Sequence, residues 1–232
     1  EPGIANVSVT LQTPAGLLTT QTDASGIYTF AGLTPSTPYT VAFAPTSGYI
    51  GTLQNNGSDA SDSDPSAATE QVVVALTQTD VTVDAGFWRP ASLTGTVWVD
   101  FNNDGTQDPG EPPVAGTSVT LTGVSPVSGV VTLVTTTGPD GTYSFSMLPP
   151  GVYTLTEQQP AEWLDNVDYP GSAGGSATPP DSIVNVVLQS GANATGYNFT
   201  ERGMTLGDYV WFDADHDGNQ DDLQSNLGGV TV

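Results

Sequence analysis

The chain has 232 residues, and its 25 aspartates and glutamates face a combined 2 lysines and arginines, for a formal charge of -23. That balance opposes binding to nucleic acid or to an anionic membrane surface and leaves cations as the natural charged partners. A solvated acidic coat of the halophilic kind is the competing explanation, and the placement of the acids has to decide between them.

Hydrophobic residues make up 37 % and prolines and glycines punctuate the whole length, so the chain can form cores and suits two domains of about 100 residues. No stretch approaches the roughly 20 apolar residues of a membrane span, so direct membrane insertion is not expected, and no signal peptide or anchor is visible in these residues. The absence of cysteine is neutral, because metal ions staple small extracellular domains as disulfides do. Four Asn-x-Ser/Thr sequons, at Asn6, Asn56, Asn193 and Asn198, decide nothing.

In chain order, the first element is the alternating run Val7, Val9, Leu11. A turn at Asp23, the segment SGIYTFAGLTPSTPYTV (25–41) and an acidic stretch QNNGSDASDSD (54–64) follow. Next comes TGTVWVD (94–100), which runs directly into a second acidic stretch, and then the alternating pairs Val119/Leu121, Tyr143/Phe145 and Tyr153/Leu155. A period of two is that of half-buried strands, and no window of helical length shows a 3.6-residue stripe. The expected fold class is all-β, a β-sandwich repeated along the chain.

The repeat itself is explicit. TGTVWVDFNNDGTQDPGE (94–111) returns as GDYVWFDADHDGNQDDLQ (207–224), Trp98 falling over Trp211; EPPVAGTSVTL (111–121) appears as EPGIANVSVTL (1–11); and 25–41 matches DGTYSFSMLPPGVYTL (140–155). The domains expected are therefore 1–90, a sandwich repeat without its first strand and acidic loop; 91–202, a complete repeat; and 203–232, the opening strand and loop of a further one. Residues 227–232 duplicate the pattern of 4–9, so the chain is either a slice of a longer covalent array or a unit whose ends complement one another head-to-tail, 204–223 of one copy serving 1–90 of the next.

The chemistry concentrates in 100–111. Asp100, Asn102, Asp104, Gly105 and Glu111 satisfy the calcium-loop pattern D-x-[DN]-x-[DN]-G-x5-E. Oxygens at positions 1, 3 and 5 converge on a hard cation, the glycine makes the turn, Thr106 offers a carbonyl, Asp108 binds directly or through water, and the acid at position 12 closes the shell with two oxygens. The flanks read as β-runs, so the loop is that of an EF-hand without its helices. Its second copy uses Asp213, Asp215, Asp217, Gly218, Asn219 and Asp221, with Gln224 where the closing acid belongs and Asp222 as the candidate substitute. Glu1 aligns with Glu111 and so falls at the closing position of a third loop. The bland alternative is an Asx-rich turn; crowding of nine carboxylates into the two windows at 100–111 and 213–224 argues against it, since their repulsion needs a counter-charge.

In 54–64, Asp59, Asp62 and Asp64 form a further calcium candidate, while the corresponding part of the second repeat keeps only scattered Asp165, Asp168 and Asp181. Asp23 and Asp140 precede turn glycines and are read as turn residues. With no Cys or Lys, and with His216 as the only histidine, nucleophile and base pairings are nearly excluded, so no enzyme is expected. Trp88 and Trp163 are the candidate exposed aromatics for an adhesion surface, and Trp98 and Trp211 are expected to pack beside the loop strands. Arg89 and Arg202, 113 residues apart, are expected to pair with acids and clamp repeat junctions.

The ordered set VWxDxNxDGxQDxxE, VxVTL, DxxGxYxFxxLxPGxYxV and a DAGF or YNF terminus (84–87 and 197–199) resembles the B domains of serine-aspartate repeat surface adhesins, the SdrD B-like family, related to collagen-adhesin B repeats. The resemblance spans nearly the whole chain. It implies tandem Ig-like or prealbumin-like sandwiches, rigidity conferred by Ca2+, and an extracellular stalk or filament segment at the cell surface whose partners are neighbouring copies of the repeat. A ligand-binding adhesin module with an unknown protein or glycan ligand is the alternative. By resemblance, the calcium loop lands on Asp100, Asn102, Asp104, Asp108 and Glu111, and the family's acidic DSD segment on Asp62 and Asp64. Lysine is absent, which excludes the Lys-to-Asn isopeptide bond of collagen-adhesin relatives.

Overall fold

A computed structural model describes residues 1–45, 47–58, 62–76, 82–204, 206–208, 210, 213 and 218. The chain divides into two compact units, Glu1–Arg202 and Gly203–Val232. Every described element of regular structure is a β-strand.

The first repeat contributes β1 (Ser8–Thr13), β2 (Gly16–Gln21), β3 (Pro38–Ala44), β4 (Ile50–Gly51), β5 (Gln71–Ala75) and β6 (Phe87–Trp88). The second contributes β7 (Ala91–Val99), β8 (Ser118–Ser125), β9 (Gly129–Thr136), β10 (Thr142–Leu148), β11 (Gly151–Glu157), β12 (Leu164–Asp165), β13 (Ser176–Thr178), β14 (Ser182–Leu188), β15 (Asn193–Ala194) and β16 (Phe199–Arg202). In the second repeat one sheet runs β10-β7-β16-β12 with β15 also on β7, and the other runs β13-β14-β11-β8-β9. Leu93, Val97, Tyr143, Phe145 and Phe199 from the first sheet meet Val119, Leu121, Tyr153, Leu155, Ile183 and Leu188 from the second in one buried core. Alternate positions of each strand face inward, which is the period-two pattern of the sequence expressed as a sandwich.

The first repeat reproduces only half of this. Its sheet β2-β1-β3-β5 has the order of β9-β8-β11-β14, but the opposing layer is reduced to the pair β4-β6. Residues 27–30 align with β10 and form no strand, because β10 owes its ladder to β7 and nothing in this repeat takes β7's place. The inner face of Val9, Leu11, Tyr39, Val41 and Phe43 is covered by Tyr28, Phe30, Leu33 and Phe87, all only partly buried. Local ties survive nevertheless: the Tyr28 hydroxyl donates to the Val83 carbonyl at 2.7 Å as that of Tyr143 does to Tyr197 at 2.6 Å. In the same way Thr22 and Thr137 each accept a main-chain N–H and donate to a main-chain carbonyl.

At the junction, the Arg89 N–H donates to Ser190 Oγ at 2.8 Å and its carbonyl accepts from Gly191 at 2.8 Å, while the guanidinium lies 4.3 Å from the Tyr49 ring centre. The clamp expected between this arginine and a carboxylate is thus a cation–π contact and two main-chain bonds. Arg202 donates through Nε to the Asp165 carbonyl, again not to an acid. The two arginines are also not in matching places, since Arg202 faces Leu164 in its ladder whereas Trp88, not Arg89, faces Ile50. A guanidinium competing with well-solvated carboxylates gains little from an exposed ion pair, so packing on a ring is a reasonable substitute.

Candidate metal centre

The loop 100–111 leaves the end of β7, and the sequence folds it tightly for a local reason. Asp100 is buried and its carboxylate accepts from Asn103 N–H at 2.5 Å and from Gly105 N–H at 2.9 Å. Asn102 accepts from Asp104 N–H and Asp104 accepts from Thr106 N–H, at 3.1 and 2.8 Å. Glu111, also buried, turns back so that one oxygen accepts from Phe101 N–H at 2.8 Å and the other from Asp108 N–H at 3.0 Å. Gly105 has φ 76°, the left-handed conformation that position 6 requires. The Asn102 amide donates to both Asp104 and Asp108, at 3.1 and 3.0 Å.

Two contacts hold the loop to the sandwich. Asp100 N–H donates to the Glu201 carbonyl of β16 at 2.8 Å, and the Tyr169 ring packs so closely over Gly105 that an added Cβ would lie 2.5 Å from it. Tyr169, raised above its ordinary pKa by burial and then by Asp100 and Asp104, was not visible as a site residue in the sequence; only its distance in space to the loop marks it. Trp98 is buried beside the loop strand, as expected. The donors are oxygen throughout, the set that hard divalent cations take. Among the described residues no three acidic or histidine side chains close on one point; Asp100, Asp104 and Glu111 accept main-chain N–H groups instead, and Asp108 accepts the Asn102 amide.

The other expected ligands are dispersed. Asp213 accepts from Gly218 N–H at 3.1 Å, repeating the Asp100–Gly105 bond, and Gly218 has φ 80°. Asp215, Asp217, Asn219, Asp221, Asp222 and Gln224 lie outside the described residues, as does Asp59. Asp62 and Asp64 flank the buried Ser63; Asp64 accepts from Asp84 N–H at 2.6 Å and Asp62 keeps one buried oxygen without a partner. Glu1 is exposed, unlike Glu111. Asp23 and Asp140 do serve turns, accepting from Ser25 and Ile27 and from Thr142 respectively. Trp88 donates to the Gly51 carbonyl and Trp163 packs on the core, so neither is the open aromatic platform that an adhesion groove would use.

One group of acids escaped the sequence reading. Glu157 at the end of β11 and Glu201 in β16 are 4 % and 0 % exposed and converge with Asp165, Asp168 and Asp181. Burial first, then Glu201, Asp181, Asp168 and Asp165, push Glu157 up to about 9. Burial followed by neighbouring carboxylates raises Asp168 to about 7, and Glu201 to about 7 against the lowering bond from Gln159. Asp181 is raised by burial and by Asp165, with which it shares a hydrogen bond. Strand parity was the available signal, since Glu157 continues the inward series Tyr153, Leu155 and Glu201 follows Phe199 on the same face.

The SdrD B-like domain profile matches residues 1–87 and 91–200. The chain belongs to the SdrD B-like domain family. Its two matched domains coincide with the repeats flanking Arg89, and the loop 100–111 opens the second. Among curated relatives, serine-aspartate repeat-containing protein F of Staphylococcus epidermidis is 35% identical over 239 residues, covering 100% of this chain and 14% of the relative. Serine-aspartate repeat-containing protein E and a bone sialoprotein-binding protein, both of Staphylococcus aureus, are each 35% identical over 243 residues, covering 100% of the chain and 20% of theirs. The chain therefore spans a fifth or less of these relatives. Solved structures with a similar course include the minor pilin GBS52 of Streptococcus agalactiae, at 14% identity and a TM-score of 0.34 over 90% of this chain and 87% of that one. The Bacillus anthracis TIE protein reaches 17% and 0.36 over 87% of this chain and 31% of its own. At such scores the all-β assignment rests on the sheets described above. No helix among the described residues is long and apolar enough to cross a membrane.

Proposed function

We propose that this SdrD B-like chain is a non-enzymatic, calcium-stiffened segment of an extracellular stalk or filament at the cell surface, with neighbouring repeats as its structural partners. The observation that carries the reading is the loop 100–111, whose oxygen donors are preoriented by main-chain bonds and whose first residue is tied to the Glu201 carbonyl. Calcium in that loop would lock the opening strand β7 to the closing strand β16, which makes the cation a rivet at the end of a repeat rather than a catalyst. The relatives' names, serine-aspartate repeat-containing and bone sialoprotein-binding proteins, support a surface setting.

Strand complementation extends the same reading. The sheet edge at 27–30 lacks the partner that β10 finds in β7, and a strand of the TGTVWVD or GDYVWFD type would complete it, whether from a neighbouring copy or from contiguous chain. The loop is tested by calorimetric titration of calcium into the parent, Asp100→Ala and Asp213→Ala chains. Asp100→Ala is expected to abolish the tightest class of sites and Asp213→Ala a weaker one, because Glu111 supplies two oxygens and a charge that Gln224 lacks. An Asp100→Ala titration identical to the parent's would remove the loop from the account.

A further inference from the structure

We propose that the edge strand β9 of the complete repeat pairs antiparallel with β9 of a second copy of the chain, joining two chains side by side. This surface is separate from the loop 100–111 and from the open edge at 27–30, and its use does not require calcium.

Among the described residues the two sheets of the complete repeat end in β9, β13, β10 and β12. Three of these ends are blunted. β13 has three residues and is followed directly by Pro179 and Pro180. β12 has two residues, the second of them Asp165. β10 has an irregular register between Phe145 and Leu148. Short strands, edge charges, prolines and bulges are the means by which sheets avoid edge-to-edge pairing. β9 has none of them: it runs for eight residues as GVVTLVTT and pairs with β8 in an unbroken register from Ser118 opposite Thr136 to Ser125 opposite Gly129. It is the last strand of its sheet, so its outer side has no strand partner among the described residues.

The side chains of β9 suit a strand like itself. Val131 packs on the core, so Val130, Thr132 and Val134 face the other way, and the two valines are 81 % and 63 % exposed. When β9 is laid antiparallel on its counterpart about Thr132, each Val130 falls opposite Val134 of the second copy and the two Thr132 residues face each other. Such β-branched pairs stabilise a ladder. The same patch serves both partners, so the contact has twofold symmetry and leaves neither β9 edge free. On the same face Val130 is in register with Val124, Val152 and Val187 of the neighbouring strands, and pairing extends this row into the second copy.

Charge selects a second copy as the occupant. Chains of charge -23 repel one another wherever their acids meet, but the β8–β9 hairpin lies in the stretch between Glu111 and Asp140, which has no charged residue. Pairing there sets no carboxylate against another. A basic partner would be drawn to the acidic loops instead of to this neutral hairpin. The corresponding edge of the first repeat, β2, is shorter, at six residues, and belongs to the half-covered sandwich.

Sedimentation velocity of the full chain at fixed calcium, over a concentration series up to about 1 mM, tests the pairing. The parent is expected to dimerise, more so as sodium chloride screens the repulsion between copies. Thr132→Glu and Thr132→Lys set two like charges face to face, and each alone is expected to weaken dimerisation by about tenfold or more. Mixed in equal amounts, the two variants oppose Glu with Lys and regain the dimer. Thr132 is exposed, so both variants should fold, which circular dichroism checks. Val152→Glu lies on the same sheet face but two strands from the edge, and is expected to dimerise as the parent does. End-to-end association through 27–30 is untouched by these substitutions, so self-association that Thr132→Glu leaves unchanged overturns the proposal. So does a parent that stays monomeric throughout the series, or a dimer lost in Val152→Glu and kept in Thr132→Glu, which would mean that the sheet faces stack instead.

Discussion

Gly95→Ala is expected to unfold the second repeat under conditions where the parent is native, with a loss of about 3 kcal/mol or more in denaturant unfolding. Gly95 sits mid-strand in β7, where a glycine ordinarily weakens a sheet. The reason it is there is spatial. A Cβ at this position would lie 1.7 Å from the Tyr197 carbonyl oxygen and 2.6 Å from the Tyr143 hydroxyl, the two atoms that hydrogen-bond each other over β7. Relief would require β7 to separate from the 195–198 segment, which breaks the tie between first and last strands on which the loop 100–111 depends. Gly207→Ala, whose added methyl meets nothing within 4 Å, is the control and should leave the midpoint near the parent's. A Gly95→Ala protein as stable as the parent would mean that β7 and the 195–198 segment are not packed as described.

In chelator, stability is expected to fall as pH rises from about 5 to about 8.5, opposite to the trend of a protein held by ionised salt bridges. Glu157, Asp168 and Glu201 bind protons in the folded chain up to about 9, 7 and 7, well above their ordinary range. Between those limits the folded state holds more protons than the unfolded one, so the stability they contribute is full at low pH and is lost as pH climbs through the folded values. Asp168 and Glu201 account for the fall through neutrality, and Glu157 for its continuation into the alkaline range. Glu157→Gln should flatten the alkaline part, because a neutral amide of the same shape has no proton to lose. A melting midpoint that rises with pH in chelator would contradict the burial of this cluster.

Much of the candidate loop was legible in the sequence because its oxygen donors are local. Asp100, Asn102, Asp104, Thr106, Asp108 and Glu111 fall within twelve residues, and the spacing that suits a cation also suits the Asx-type main-chain bonds seen in the loop. The buried acidic cluster was not legible, because its members are distributed over 157–201 and meet only once β11, β12 and β16 are paired. Asp165, Asp168 and Asp181 look scattered along the chain, and only strand parity places Glu157 and Glu201 inward with them. The sandwich was legible from alternation, yet 27–30 shows where alternation stops being sufficient. The same pattern forms β10 in one repeat and no strand in the other, since a strand exists only with a neighbour to bond. Similarly, matching Arg89 to Arg202 by sequence distance failed because the ladder at β4 and β6 places Trp88, not Arg89, in Arg202's position.

Calcium as the chain's structural cation is tested most directly by thermal melting in 1 mM calcium and in chelator, at neutral pH and fixed ionic strength. If site affinity is near 10 µM, each filled site adds about 2.7 kcal/mol, and the melting midpoint should rise accordingly, with magnesium or extra sodium chloride giving little of the effect. A midpoint unchanged by calcium would contradict the account and leave the charge of -23 as a solvated acidic coat.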